Sequence, residues 1–149
     1  MEDRWNLTRF KEAQEGVYCT ALSEIRRGRK ESHWMWFIFP QLRGLGRSAA
    51  AEYYGLSGLE EARAYLEDEV LGARLLEGTR ALLEQPCRDA EKVMGWPDNL
   101  KLCSCMTLFH AACPQEGCFA QVLREFFEGQ EDGRTLSMLK ESGETPKRL

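Results

Sequence analysis

The stretch GRKESHWMWFIFPQLRGLGRS, residues Gly28–Ser48, joins an apolar centre to basic ends. Every position of Trp34–Phe39 is apolar, so the hydrophobic period cannot separate a short buried helix from a buried strand. Because the remainder of the chain has helical patterns, we favour a short buried helix over residues 32–39. Ser32 is a candidate N-cap for this helix, and Pro40 would end it.

Helical patterns continue on both sides of this stretch. Before it, residues 8–27 carry apolar side chains at three- and four-residue spacings, which predicts one helix with Thr8 as its N-cap. After it, a Ser57–Glu60 capping box, other capping residues and apolar stripes predict helices over 48–54, 57–66, 68–84, 89–94, 98–112, 115–128 and from 132 onward. We expect Asp98 to cap the 98–112 helix and Gly72 to mark a break.

No segment shows the alternation that is typical of a half-buried strand. The sequence therefore predicts an all-α (mainly α) fold, a compact single-domain bundle of about seven helices, several of them short. We expect one domain over residues 1–149, with an ordered core over about 8–141 and frayed termini.

Composition narrows the class of protein. The chain has 149 residues, 43% of them apolar and 30% charged, which is typical of a globular domain. The longest apolar run is too short to span a membrane, and the N-terminus lacks the apolar core of a signal peptide. We therefore expect a cytoplasmic protein whose six cysteines stay reduced. The net charge of −4 argues against general nucleic-acid binding.

The quoted stretch and the four residues before it differ in charge from the whole chain. Between residues 24 and 47 only two residues are negative, whereas six are positive, namely Arg26, Arg27, Arg29, Lys30, Arg43 and Arg47. A basic, aromatic segment in an acidic protein suggests recognition of an anion.

Several blocks of sequence carry a resemblance. They are RF (9–10), AQ (13–14), Tyr18, GRKxSHWMWFIFPQLxGLG (28–46) and KLxSxMTLF (101–109). In this order, over roughly Thr8 to Leu139, they resemble the bacterial family catalogued as domain of unknown function 1810. The resemblance implies a small, mainly helical cytosolic domain and implies no activity. Cys103 and Cys105 depart from the pattern, since an Arg and a Ser are usual there, so any function of those two positions would be altered in this chain.

The polar ends of the quoted stretch supply the first candidate residues. His33 could act as a general acid or base or donate to a phosphate, and it could equally be a buried histidine bonded to a carbonyl. Arg29 and Lys30 would supply cations to an anion. Trp34 or Trp36 would provide a stacking wall, although we expect most of these aromatic residues to be core.

A second group of candidates lies on the predicted 98–112 helix. Lys101 and Ser104 are three residues apart, so they share a face, and a lysine beside a serine can activate it as a nucleophile. Lys101 could also converge with Lys30 on an anion. In the competing interpretation Asp98 caps the helix and pairs with Lys101 at the surface.

Together these residues predict one pocket for an anionic, nucleotide-like small molecule, which the protein would bind or hydrolyse. His33, Lys101 and Ser104 would act on the ligand, and Arg29, Lys30, Trp34 and Trp36 would bind it. We predict no metal site, because Cys103 and Cys105 point about 200° apart on a helix and so cannot readily share one metal ion. We also predict no cofactor. The alternatives are a protein-interaction module that uses residues 34–39 and, with weaker support, single-stranded nucleic-acid binding.

Overall fold

The computed structural model describes residues 3–144, within which ten helices and no strand are present. This confirms the predicted all-α class, and seven of the ten helices have seven residues or more. The predicted fraying of the termini concerns in part residues 1–2 and 145–149, which lie outside the described residues. The helices are α1 (Thr8–Gln14), α2 (Tyr18–Arg26), α3 (Met35–Ile38), α4 (Ala49–Tyr53), α5 (Leu59–Glu67), α6 (Glu69–Glu84), α7 (Ala90–Met94), α8 (Asp98–Ala112), α9 (Gly117–Phe126) and α10 (Gly133–Glu141).

The predicted helix over residues 8–27 is two helices, so this prediction was wrong in extent. α1 ends at Gln14, and Gly16 follows with a φ of +74°, a left-handed conformation that interrupts the helix. Thr8 is not the cap either. The Asp3 carboxylate accepts from the backbone N–H groups of Leu7 and Thr8, at 2.6 and 2.8 Å, and so satisfies the first turn.

The apolar centre of the quoted stretch forms α3, a helix of four residues, rather than a helix over 32–39. Ser32 does not cap it, because the Ser32 N–H and hydroxyl both donate to the Glu24 carboxylate, at 2.9 and 2.6 Å. Trp34 and Phe39 are buried with at most 1% of their surface exposed. The segment is therefore part of the core, and Glu24 determines how the chain enters it.

Glu24 is a buried carboxylate with an unusually full set of donors. Besides Ser32, it accepts from the Glu31 N–H at 2.7 Å and from the Trp34 indole N–H at 2.9 Å. Burial alone would raise the pKa of the Glu24 carboxyl, but these hydrogen bonds outweigh burial and lower the pKa to about 2. The charge thus holds together the end of α2 and the start of the aromatic segment.

α8 is the central helix of the fold. It packs against α5, α7, α9 and α10, and Leu102, Met106 and Phe109 on it are fully buried. α5 and α6 also pack closely, because a Cβ added at Gly72 would lie 2.0 Å from the Leu66 carbonyl oxygen. Gly72 therefore allows close approach inside an unbroken α6, and the predicted break there was wrong.

The predicted cap at Asp132 and the helix starts predicted at residues 48, 68 and 89 are present, whereas two more cap predictions, besides those at Thr8 and Ser32, were wrong. Ser48, Asp68, Asp89 and Asp132 accept backbone N–H groups at the starts of α4, α6, α7 and α10. The Ser57–Glu60 box is absent from the described chain, since α5 begins after Gly58 and Ser57 donates to Glu61 instead. Asp98 does not cap α8, because its carboxylate faces two lysines. No helix among residues 3–144 is long and apolar enough to cross a membrane.

Candidate functional site

Two lysines from distant parts of the chain converge on Asp98, the first residue of α8. Lys30 Nζ lies 2.8 Å from Asp98 Oδ2, and Lys101 Nζ lies 3.2 Å from Asp98 Oδ1. The Lys30 side chain is 7% exposed and the Asp98 side chain is 19% exposed. Lys30 also donates to the Ser32 carbonyl oxygen. The predicted convergence of Lys30 and Lys101 is therefore present, but a carboxylate of the protein lies between them.

Each of these lysines lies over a tryptophan of the aromatic segment. Lys30 Nζ is 4.9 Å from the ring centroid of Trp34, and Lys101 Nζ is 4.5 Å from that of Trp36. Trp34 is fully buried and donates its indole N–H to Glu24, so it has no free face for a ligand. Trp36 is half-buried. Both rings position cations by cation–π attraction.

A cavity of about 610 Å³ opens beside this cluster. Its walls come from the first two turns of α8, the end of α9, the 128–132 loop, the start of α10 and the 41–46 loop. Lys101 and Ser104 line it, together with the apolar side chains of Leu45, Leu100 and Phe127. This volume lies within the range of roughly 300–1,000 Å³ that is typical of small-molecule sites.

Ser104 belongs to a hydrogen-bond network at the floor of the cavity. Its hydroxyl oxygen lies 3.1 Å from both the Leu100 carbonyl oxygen and Asp132 Oδ2, so its one proton is donated to either acceptor. The same Asp132 oxygen accepts from the N–H and hydroxyl of Thr135, at 3.0 and 2.5 Å. This network ties α8 to the start of α10. The Lys101 ammonium contacts Asp98 instead, and no hydrogen bond joins it to Ser104 among the described residues.

The charges that line the cavity are mixed. Lys101 and Arg134 provide positive charge, and Arg134 is exposed on the first turn of α10. Glu128, Glu131 and Asp132 provide negative charge at the same rim. A site of this kind favours a ligand that combines an anionic group with hydrogen-bond donors over a continuous polyanion.

Gln41 is a polar side chain of the cavity without a partner. It is 7% exposed, lines the cavity, and its side-chain amide makes no hydrogen bond within the described part of the chain. Gly46, another lining residue, lies beside it, since a Cβ there would be 3.6 Å from Gln41 Nε2. This amide is therefore left to pair with water or a ligand in the cavity.

The two cysteines that depart from the family pattern have different positions. Cys103 lines the cavity, and burial, followed by the charge of Asp132, raises the pKa of its thiol to about 11. Cys105 is fully buried, and burial raises its pKa well above the ordinary value. Both are thiols near neutral pH, so neither provides a thiolate nucleophile. Within residues 3–144, no group of three or more His, Cys, Asp or Glu side chains is arranged to hold a metal ion.

The seven residues predicted for the site fall into three places. Lys101 and Ser104 line the cavity, whereas Lys30, Trp34 and Trp36 surround Asp98 beside it and do not line it. Arg29 and His33 are exposed, and neither side chain forms a hydrogen bond or ion pair with another described residue. The structure thus brings together five of the seven around Asp98 and the cavity.

Sequence reasoning missed Gln41, Arg134 and the second role of Asp132. Gln41 lies within the family block of residues 28–46, but the aromatic and charged side chains of that block were chosen as candidates instead. Asp132 was recognised as a cap only. One signal for this wall of the cavity was available. It was the helix start that carries the capping Asp132 and Arg134 next to a glycine-rich loop.

Comparison with known proteins identifies the family and no activity. The family described as "Protein of unknown function (DUF1810)" matches residues 4–139, which confirms the resemblance seen in the sequence. The chain is also similar to the conserved hypothetical protein Rv1873 from Mycobacterium tuberculosis, whose crystal structure superposes with a TM-score of 0.91 at 48% identity, over 93% of this chain and 99% of that chain. No curated protein matches the chain. The chain belongs to the DUF1810 family of proteins of unknown function.

Proposed function

We propose that the protein binds an anionic, nucleotide-like small molecule in the cavity between α8 and α10. One observation carries this proposal: a cavity of about 610 Å³ contains two cationic side chains, Lys101 and Arg134, against apolar walls. The cations suit a phosphate or carboxylate, and the walls suit a planar organic group. The carboxylates at the rim suit the hydroxyl and amino donors that such a molecule carries.

The two alternative functions have less support. Burial of Trp34, Met35, Ile38 and Phe39 leaves the aromatic segment without the exposed face that an interaction module needs. Single-stranded nucleic acid needs a continuous basic groove, and the carboxylates at the cavity rim interrupt any such groove.

The proposal favours binding over catalysis. The serine-activation scheme requires Lys101 to reach Ser104, but the ammonium faces Asp98 and the serine faces Asp132. His33 lies outside the cavity lining. The proposal therefore assigns Ser104 the role of holding the cavity wall and leaves Lys101 as a contact for the anion.

Isothermal titration calorimetry with adenosine 5′-monophosphate and inorganic phosphate tests this proposal. Replacing Lys101 by Met or Arg134 by Gln removes one cation from the cavity. Each change should weaken binding of the nucleotide about tenfold or more, because a hydrogen bond to a charged group contributes ~1.5–3 kcal/mol. Lys140→Met and Arg124→Gln are matched controls, because both side chains are exposed and lie outside the cavity lining.

Two results would contradict the proposal. One is that wild-type protein binds neither ligand at millimolar concentration. The other is that the control variants weaken nucleotide binding as much as Lys101→Met and Arg134→Gln, which would place the anion elsewhere or make the attraction non-specific.

We further propose a cytoplasmic location and a bacterial source. All six cysteines are free, which suits a reducing compartment. The similarity to a Mycobacterium tuberculosis protein supports the bacterial source.

A further inference from the structure

The Gln41 side chain is buried, and its amide has no hydrogen-bond partner within residues 3–144. It lies three residues after α3 ends and directly follows Pro40. Its backbone is used by the fold, since the Gln41 carbonyl oxygen accepts from the Leu56 N–H at 2.9 Å. Its side-chain amide is different. The residue is 7% exposed and its amide atoms are open only toward the cavity, where no hydrogen bond joins them to another group within residues 3–144.

Leaving a buried amide unpaired is costly, so proteins rarely keep one without a partner. Two other buried glutamines follow that rule. Gln14 bonds the Phe37 carbonyl oxygen at 2.7 Å, and Gln85 bonds the Leu82 carbonyl oxygen at 3.0 Å. Gln41 differs from them in one respect, because it lines the cavity. Its missing partner therefore belongs in the cavity.

The surroundings of the amide suit a flat group. Gly46 lies beside Gln41 Nε2, and the absence of a side chain there keeps the approach to the amide open. Leu45, Leu100 and Phe127 supply apolar walls to the same cavity. A carboxamide presents one donor and one acceptor side by side, which pairs in a bidentate manner with the amino group and ring nitrogen of adenine.

We propose that Gln41 is the specificity-determining residue of the cavity, and that its amide pairs with the adjacent donor and acceptor of an adenine-type base. This inference rests on the proposed function, in which Lys101 and Arg134 hold the anionic end of the ligand. Gln41 would bind the base at the other end of the ligand. The ligand class is then a nucleoside phosphate rather than a sugar phosphate.

The test compares three ligands by isothermal titration calorimetry on the full chain: adenosine 5′-monophosphate, purine riboside 5′-monophosphate and ribose 5-phosphate. Purine riboside lacks the amino donor, and ribose 5-phosphate lacks the base. On wild-type protein, adenosine 5′-monophosphate should bind about tenfold more tightly than purine riboside 5′-monophosphate, because one buried acceptor of Gln41 is left unpaired with the latter. This comparison needs no variant and so does not depend on whether a variant folds.

The variant Gln41→Met keeps the length of the side chain and removes its polar atoms. It should weaken adenosine 5′-monophosphate about tenfold to a hundredfold and leave the affinity for ribose 5-phosphate within twofold of wild type. Gln115→Met, at an exposed position outside the cavity lining, is the control and should change neither.

The possible failures are distinct. Equal affinity of wild-type protein for adenosine and purine riboside monophosphates would overturn the assignment of Gln41 while leaving the proposed function intact. The same holds if Gln41→Met weakens adenosine 5′-monophosphate and ribose 5-phosphate equally, which would make its role structural. Failure of all three ligands to bind wild-type protein would overturn the proposed function and this inference together.

Discussion

Removing the Glu24 carboxylate should destabilise the protein and change how its stability depends on pH. Glu24 is 2% exposed and accepts four hydrogen bonds, from Glu31 N–H, Ser32 N–H, Ser32 hydroxyl and the Trp34 indole. These donors belong to the segment that leads into α3 and that carries Lys30 to Asp98. The perturbations are Glu24→Ala, which removes the acceptor, and Glu24→Gln, which keeps the shape and removes the charge.

The expected loss in the free energy of unfolding follows from the hydrogen-bond donors that lose the Glu24 carboxylate. In Glu24→Ala the buried Trp34 indole N–H loses its only acceptor among residues 3–144, which costs ~1–3 kcal/mol. The other three donors belong to exposed or half-exposed residues and can turn to water, so each loses ~0.5–1 kcal/mol. We expect a loss of about 3–5 kcal/mol in the free energy of unfolding. Glu24→Gln should lose less, because an amide keeps one acceptor oxygen.

Acid should remove the same contribution in the wild-type protein. The pKa of Glu24 is about 2 in the folded state, against an ordinary value of 4.5. A carboxyl with a lowered pKa stabilises the fold above its unfolded pKa and loses that contribution as the pH falls toward its folded pKa. The contribution is no more than ~3 kcal/mol, since water beside the exposed loop residues screens part of it. The advantage of wild type over Glu24→Gln should therefore shrink between pH 4.5 and about 2.

Urea denaturation followed by circular dichroism measures these differences. Glu31→Gln is the control, because Glu31 is exposed and its ion pair with Arg27 spans 3.8 Å, so the change should cost under ~0.5 kcal/mol. The reasoning would be refuted if Glu24→Ala unfolded with the free energy of wild type, or if the gap between wild type and Glu24→Gln stayed constant across the acid range.

Further predictions concern packing and buried charge. Gly72→Ala should lower the free energy of unfolding by ~2 kcal/mol or more, because the new Cβ would lie 2.0 Å from the Leu66 carbonyl oxygen. The control Gly117→Ala should leave the free energy of unfolding unchanged or slightly higher, because a Cβ there meets nothing within 4 Å. Equal free energies for the two variants would contradict the packing argument. Asp98→Asn should lower the free energy of unfolding by about 2–3 kcal/mol in urea denaturation, since it leaves a buried lysine unpaired. The same variant should bind inorganic phosphate more tightly in calorimetry. An unchanged phosphate affinity would show that the lysine partners of Asp98 do not face the anion. Glu61→Gln should cost about 3 kcal/mol, since the ion pair that it breaks is 3–4% exposed, and a loss below ~1 kcal/mol would contradict this estimate.

Much of the fold could be predicted from the sequence because local rules dominate in helices. Helices were predicted to start at residues 48, 68, 89 and 132, and at each of these starts a Ser or Asp side chain caps backbone N–H groups of the next few residues. The failures have tertiary causes. Ser32 had the residue type of an N-cap, but the buried Glu24 carboxylate takes both its N–H and its hydroxyl.

The predicted site was incomplete for the same reason. Asp98 has the position of a cap, and no local pattern shows that Lys30, 68 residues earlier in the chain, reaches it. The importance of Gln41 also depends on a tertiary fact, namely that its amide faces a cavity and has no hydrogen-bond partner in the described part of the chain. Arg29 and His33 attracted attention through composition alone, and the structure leaves both exposed and away from the cavity.

The central claim is that the cavity between α8 and α10 holds a nucleotide-like anion. The most direct measurement is a titration of the ¹⁵N-labelled protein with adenosine 5′-monophosphate, followed by NMR chemical shifts of the backbone amides. Binding in this cavity predicts saturable shifts within residues 41–46, 99–104 and 128–134, the segments that contain most of the residues lining the cavity. Shifts that cluster instead around residues 29–33, or the absence of saturable shifts at millimolar nucleotide, would contradict it.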